Sequence, residues 1–302
     1  MSRPALRDPA SPQHPAQRRA LPALLLGGAA IGCSPIFVRA SEVGPLATAF
    51  WRLALALLPL LVMYGREPAG PGGHKRPRTL RDHAEVAIPG LFLASDLAAW
   101  HLSLHMTSVA NATLLVNIAP IFVTVFSWLV LGQKIRRAFL IGLTVSLIGI
   151  VVLKGGPGSL VDGDIKGDAV AVLAAAFYAG YILLLGRVRK TYATTTIMVW
   201  STVSAAVFTG LLTWLVEPAL LPFTMAGWLI LIGLAWISHA AGQSLIAFAL
   251  AWLPPTMSSL TLLIQPVVAS LLAWLLLKEP VTGAQMAGGA IVLAGILLAR
   301  RA

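Results

Sequence analysis

The sequence predicts an all-α polytopic membrane protein of ten transmembrane helices, arranged as two inverted five-helix repeats. Three observations carry that expectation. Apolar residues (AVILMFWYC) make up 58% of the 302 residues and charged residues only 11%, against roughly a quarter charged in soluble domains. The apolar residues fall in ten continuous runs, each near the length of about 20 residues that spans a bilayer as a helix. The second half of the chain also repeats the first at a fixed offset. This composition excludes a disordered chain and an ordinary soluble enzyme. Cys33 is the only cysteine, which excludes a disulfide scaffold. Runs that are continuous rather than alternating argue against a transmembrane barrel.

The ten runs cover residues 20–40, 44–64, 84–105, 110–131, 137–153, 167–186, 194–216, 226–249, 256–277 and 283–299. Residues 1–19, rich in Pro, Arg and Ala, are expected to form a disordered cytoplasmic tail. The first five-helix repeat is assigned to 20–153, a periplasmic connecting loop to 154–166, and the second repeat to 167–302. The first run reads as a retained span rather than a signal peptide, because it continues past Cys33 to Val38. Cys33 reads as a small packing residue. With the N-terminus inside, seventeen of the 22 Lys and Arg lie on the cytoplasmic side. Four (Arg39, Lys154, Lys166 and Lys278) lie outside, and Arg52 falls within a span. That asymmetry places both termini in the cytoplasm. The net charge of +11 then serves orientation, and no nucleic-acid partner is expected.

The repeat has an offset of 146. PIFVTVFSWLVLG at 120–132 aligns with PVVASLLAWLLLK at 266–278, matching Pro120 to Pro266 and Trp128 to Trp274. Gly142 matches Gly288 and Gly149 matches Gly295 in the same register, and 11 of the 43 positions from 111 to 153 are identical without a gap. Matches of leucine mean little in such a chain; Pro, Trp and paired Gly in register mean more. Five helices per repeat is an odd number. Two copies in series then cross the membrane in opposite senses, which is the inverted repeat of secondary transporters, with the substrate site near the midplane between the halves.

The Pro…Trp-Leu-x-Leu elements from Pro120 to Gln133 and from Pro266 to Glu279, with Phe50-Trp51-Arg52 in the second span, resemble the EamA family of the drug/metabolite transporter superfamily. The resemblance covers about residues 20–300. Gln133 stands where the family usually has Glu, so no carboxylate serves there in the first half. Within the superfamily the chain is similar to bacterial amino-acid exporters of the YddG type. The resemblance implies alternating access through a central cavity, in a bacterial inner membrane, with aromatic and other neutral amino acids as exported substrates. Other small metabolites or drugs, such as nucleosides and quaternary amines, remain alternatives.

Ionisable groups inside a bilayer are costly and mark functional positions by default. Arg52 and Asp96 lie at overlapping depths in the second and third spans, while their counterparts at +146 are Met198 and Gly242. Loss of both charges together fits a charge pair. A structural ion pair and a substrate-binding group are both compatible with it. Polar and aromatic stripes add candidates for binding a zwitterion with an apolar side chain. Asp96 and Trp100 share a face of the third span, and Asn117 lies between Thr113 and Thr124 in the fourth. Tyr178 and Tyr181 are a turn apart in the sixth. His239 and Gln243 continue from Trp236 in the eighth, and Gln265 follows Ser258 and Thr261 in the ninth. The competing reading of each is a hydrogen bond that joins helices. His101 and His239 are the candidates for proton relay. Pro35, Pro120 and Pro266 lie inside spans and are expected to kink them.

No G-x-x-x-x-G-K-[ST] occurs, so ATP is not expected to drive transport. No H-E-x-x-H or Cys/His cluster occurs, so neither metal nor cofactor is expected. Asp162 to Asp168 imitates a calcium loop but has Lys166 at its fifth position and Leu173 at its twelfth. An intramembrane enzyme needs clustered acids or metal ligands, which the acids here do not form, so the chain is not expected to be an enzyme. A passive scaffold has no need of a two-fold repeat. The expected partners are a small-molecule substrate and the lipid bilayer, and the chain is expected to act as a monomer, moving substrate down its gradient.

Overall fold

The computed structural model describes residues 15–66, 76–107, 109–153, 155, 164–278 and 282–300. Among these residues every element is a helix. Nine helices are long and apolar enough to cross a membrane: α1 (Ala16–Arg39), α2 (Pro45–Arg66), α3 (Leu80–Ser103), α4 (Leu114–Leu131), α6 (Ile165–Val188), α7 (Thr194–Val216), α8 (Met225–Ala249), α9 (Pro255–Leu276) and α10 (Gly283–Arg300). Between α4 and α6 lies α5 (Arg137–Leu153), an apolar helix of 17 residues. At 1.5 Å per residue it is about 25 Å long. Each apolar run of the sequence folds as one of these helices. Residues 15–19, the end of the expected tail, are helical; residues 1–14 lie outside the described residues. Of the expected connecting loop, 154 and 156–163 lie outside them as well. Asp164 caps α6 by accepting from the Lys166 N–H at 3.1 Å.

The helices pack in a reciprocal scheme. α1 packs on α8 and α3 on α6; α2 packs on α8 and α3 on α7; α1 packs on α9 and α4 on α6. Exchanging each helix with the one five places along turns every one of these contacts into its partner. Contacts that this exchange leaves unchanged are also present: α2 with α7, α4 with α9 and α5 with α10. The α1–α2 loop lies at one end of the bundle, and the corresponding α6–α7 loop lies at the other.

Glycine explains why α5 and α10 come so close. A Cβ on Gly142 would stand 2.6 Å from the Gly295 carbonyl oxygen, and one on Gly149 would stand 2.6 Å from the Val292 nitrogen. A Cβ on Gly295 would meet the Ser146 nitrogen at 2.6 Å. No side chain fits at such distances. Gly142 faces Gly295 while Gly149 faces Gly288, so the two helices run antiparallel. Small residues let membrane helices gain van der Waals contact where no hydrophobic drive exists between them.

Buried apolar side chains form two cores. The larger is built chiefly by α1, α2, α3, α6, α7 and α8, with Leu53, Leu97, Ile182, Ile197 and Ile246 among its residues. The smaller, around Phe139, Leu143, Ile150, Val292 and Ile296, belongs to α4, α5, α9 and α10. A broad skin of exposed leucine, valine and tryptophan surrounds both, including Leu129, Val130, Trp214 and Leu275. That is the surface a bilayer requires.

Four helices are irregular. A turn at Cys33 interrupts α1, turns at Asn117 and Ile118 interrupt α4, and turns at Leu262 and Leu263 interrupt α9. The middle of α8, Leu234–Gln243, is a π-helix. Proline has no N–H to give the carbonyl four residues back. Pro120 therefore cannot bond Val116, nor Pro266 Leu262, and both helices break at that point. Pro35 follows the turn at Cys33 in the same way. Pro22, Pro59 and Pro89 also lie inside helices, and there the helix continues unbroken.

Candidate functional site

Between the two halves, within the larger core, the structure gathers polar side chains from α2, α3, α6, α7, α8 and α9. Arg52 on α2 and Asp96 on α3 are each 8% exposed. Each senses the charge of the other, and Tyr178 and Tyr181 of α6 lie within range of both. Arg52 and Asp96 make no direct ion pair within 4.0 Å among the described residues, and the buried Arg52 Nε has no hydrogen-bond partner. The two tyrosine rings are tilted 31° to each other with centroids 6.1 Å apart. Tyr181 donates to Gln243 Oε1 at 3.2 Å, and Gln265 of α9 lies near the Tyr178 hydroxyl. His239 is buried, lies within range of Arg52, and joins Thr202 of α7 through Nε2 at 2.8 Å.

The π-helix of α8 makes this convergence. Its wider turn sends neighbouring side chains to different helices. Ser238 donates to the Ala30 carbonyl of α1 at 2.9 Å, Trp236 donates to Leu55 of α2 at 3.2 Å, His239 meets α7 and Gln243 meets α6. The spacing of Trp236, His239 and Gln243 assumed a turn of 3.6 residues. In the π-helix the three part company: His239 and Gln243 are buried while Trp236 is 47% exposed. Such segments commonly mark functional positions.

The remaining candidates lie on α1, α3, α4 and α9. Trp100 is half-buried on α3, with its ring centroid 5.1 Å from that of His101. Asn117 is half-buried at the break in α4. Pro120 and Pro266 are buried and Pro35 is exposed. Among the described residues no group of His, Cys, Asp or Glu is arranged to hold a metal ion. Glu279 lies outside the described residues.

Two polar latches at the ends of the bundle did not emerge from the sequence. At the end holding the α1–α2 loop, Glu42 accepts from the Phe223 and Thr224 N–H groups at 2.9 and 3.0 Å and from the Thr224 hydroxyl. Thr224 in turn caps α8. Glu217, just past α7, accepts from Leu46 and Ala47 N–H at 2.7 and 3.0 Å at the start of α2. Both carboxylates thus satisfy helix N-termini of the opposite half. The Thr224 hydroxyl and N–H hold the Glu42 carboxyl below the usual carboxylate range. At the other end Asp82 closes the capping box of α3 with Thr79, accepting from its N–H at 3.1 Å, and receives the Tyr192 hydroxyl at 3.0 Å. Arg189 donates to the Ala247 carbonyl of α8 at 3.0 Å and to the Tyr192 carbonyl. Burial, reinforced by Asp82, pushes the Tyr192 hydroxyl up to about 12.

Comparison with known proteins agrees with this architecture. The chain is 29% identical over 280 residues to an uncharacterized transporter of Archaeoglobus fulgidus, covering 92% of this chain and 95% of that protein. It is 27% identical over 241 residues to a probable terminal-alkyne amino-acid exporter of Streptantibioticus cattleyicolor, covering 77% and 78% of the two chains. A crystal structure with 19% sequence identity superposes with a TM-score of 0.75, covering 94% of this chain and 96% of the other. The EamA-like transporter family matches twice, over residues 18–154 and 165–301, and the chain is a member of that family, a multi-pass membrane transporter.

Proposed function

We propose that the protein is an inner-membrane secondary transporter that exports small neutral metabolites, foremost aromatic and other neutral amino acids. Alternating access runs through the chamber between two inverted five-helix repeats. The observation that carries this reading is the polar cluster of Arg52, Asp96, Tyr178, Tyr181, Gln243 and Gln265, drawn from both halves and enclosed by apolar helices. Scattered interhelical hydrogen bonds would not need to converge on one place.

The reciprocal packing and the antiparallel glycine contact of α5 with α10 support inversion. In that orientation the Glu42 and Glu217 latch faces the periplasm and the Asp82, Tyr192 and Arg189 latch faces the cytoplasm. Opening one while the other holds exposes the chamber to one side at a time. The breaks in α4 and α9 fall at nearly equivalent places, which gives both halves a joint beside the chamber. The amino-acid exporter of Streptantibioticus supports the substrate class, as do aromatic rings beside a buried cation and a buried anion. Among the described residues of the cluster Asp96 is the one carboxylate, which favours facilitated movement over a proton relay.

Counterflow into proteoliposomes tests the reading. Vesicles are preloaded in turn with phenylalanine, alanine and a nucleoside, with and without an imposed pH gradient. Phenylalanine and alanine are expected to accelerate labelled uptake equally with and without the gradient. Acceleration by the nucleoside alone would sink the amino-acid assignment. Exchange that follows the gradient would sink facilitated transport.

A further inference from the structure

Arg52 and Asp96 present an unusual pairing. Both are 8% exposed and they sense each other's charge, yet they make no ion pair within 4.0 Å among the described residues. The buried Arg52 Nε has no hydrogen-bond partner. Asp96 accepts no hydrogen bond among the described residues either. A buried ion pair repays its desolvation only with close geometry and further hydrogen bonds. These two residues have opposite charges, are both buried and make no direct contact. That arrangement is poor as a structural salt bridge and suits a ligand that carries both charges itself.

The surroundings narrow the ligand. Tyr178 and Tyr181 lie within electrostatic range of the pair; the Tyr181 hydroxyl is committed to Gln243, and Gln265 lies near that of Tyr178. Their rings therefore offer mainly apolar and π surface. The second repeat has Met198 and Gly242 in place of the two charges, so the cluster offers one group for an anion and one for a cation.

Building on the amino-acid reading above, we infer that Arg52 and Asp96 form a split clamp for an α-amino-acid zwitterion. Arg52 takes the carboxylate, Asp96 takes the ammonium, and the side chain lies against the Tyr178 and Tyr181 rings. The ligand completes the electrostatics that the protein leaves open. Selectivity then follows from charge: a molecule lacking either group leaves one buried charge unmatched.

The test is counterflow of the wild-type protein with three forms of one molecule: phenylalanine, phenylalaninamide at a pH where it is a cation, and the N-acetylphenylalanine anion. Phenylalanine is expected to exchange. Each blocked form is expected to exchange about 30-fold more slowly or worse, the loss typical when one partner of a buried charge contact is removed. This arm needs no variant, so misfolding cannot confuse it. Arg52→Gln should lower phenylalanine exchange and narrow the gap between phenylalanine and its amide. Asp96→Asn should narrow the gap to the N-acetyl form, a change of selectivity that a merely structural pair would not produce. Blocked forms that exchange as fast as phenylalanine would overturn the clamp while leaving amino-acid transport standing. Failure of every amino acid to exchange would overturn both.

Discussion

The two repeats share a framework and differ at its centre. Gly142 and Gly149 in the first half answer Gly288 and Gly295 in the second, and Pro120 answers Pro266. Arg52 and Asp96 in the first half answer Met198 and Gly242. Met198 is fully buried in the larger core, and Gly242 packs closely against α1 beside Gly27. What must move in a symmetric way is kept symmetric, in the breaks, the glycine contact and the reciprocal packing. What the proposed clamp uses to hold one oriented molecule is not. A symmetric binding site would offer two equivalent poses, whereas one cation and one anion fix a single one.

This contrast can be broken at several points. The largest effect is expected at the charges. Asp96→Asn or Arg52→Gln should lower exchange about 30-fold or more, while Met198→Leu, a swap of similar volume, should leave the exchange rate nearly unchanged. Comparable losses in all three would show that this depth of the membrane merely tolerates no change. Next come the glycines. Gly149→Leu and its counterpart Gly295→Leu should each cost about 1–3 kcal/mol or more by overpacking. The cost should be similar in the two repeats, read as thermal unfolding of the detergent-solubilised protein. A large cost in one repeat only would break the symmetry of the framework. Tyr181→Phe removes one donor and leaves Gln243 Oε1 without its partner, an effect of about 1 kcal/mol, seen as a severalfold weaker apparent affinity.

The smallest effect concerns the latches. The Glu42 carboxyl is held below its ordinary range. Its contribution is therefore complete above the unfolded pKa of about 4.3 and fades only as pH falls through the lower folded value. Tyr192 is pushed up to about 12. Its contribution is complete below the unfolded pKa of about 10 and fades only as pH rises through the higher folded value. Between about pH 5 and 9 both latches should hold unchanged. Hydrogen exchange at the Phe223 and Thr224 amides, corrected for its intrinsic pH dependence, should show constant protection across that window.

Much of the framework was legible in the sequence because membrane physics writes it locally. Each span is one apolar run, and proline, tryptophan and glycine in register expose the repeat. The cluster was partly legible, since charge within a span is rare enough to single out Arg52 and Asp96. Tyr181, Gln243 and His239 stood out as polar residues in apolar surroundings. Thr202 did not, because hydroxyls are common in these helices and only its contact with His239 sets it apart. The latches stayed hidden because their partners are far apart in the chain: Glu42 from Thr224, Glu217 from Leu46, and Asp82 from Tyr192. The π-helix is not legible in the sequence, because the spacing of Trp236, His239 and Gln243 fits the pitch of an α-helix equally well. Nothing in the sequence of α8 announces the change.

In the proposed transporter the two halves cross the membrane in opposite senses. This inversion is tested most directly by the loops that the repeat makes equivalent, α1–α2 and α6–α7. Ala40 and Thr191 are exposed positions in them. With Cys33→Ala removing the native thiol, Ala40→Cys and Thr191→Cys are each treated with a membrane-impermeant maleimide, in intact cells and then in inside-out vesicles. Inversion requires that Ala40→Cys label from outside only and Thr191→Cys from inside only. Labelling of both from the same side would contradict the inverted repeat and the alternating access that depends on it.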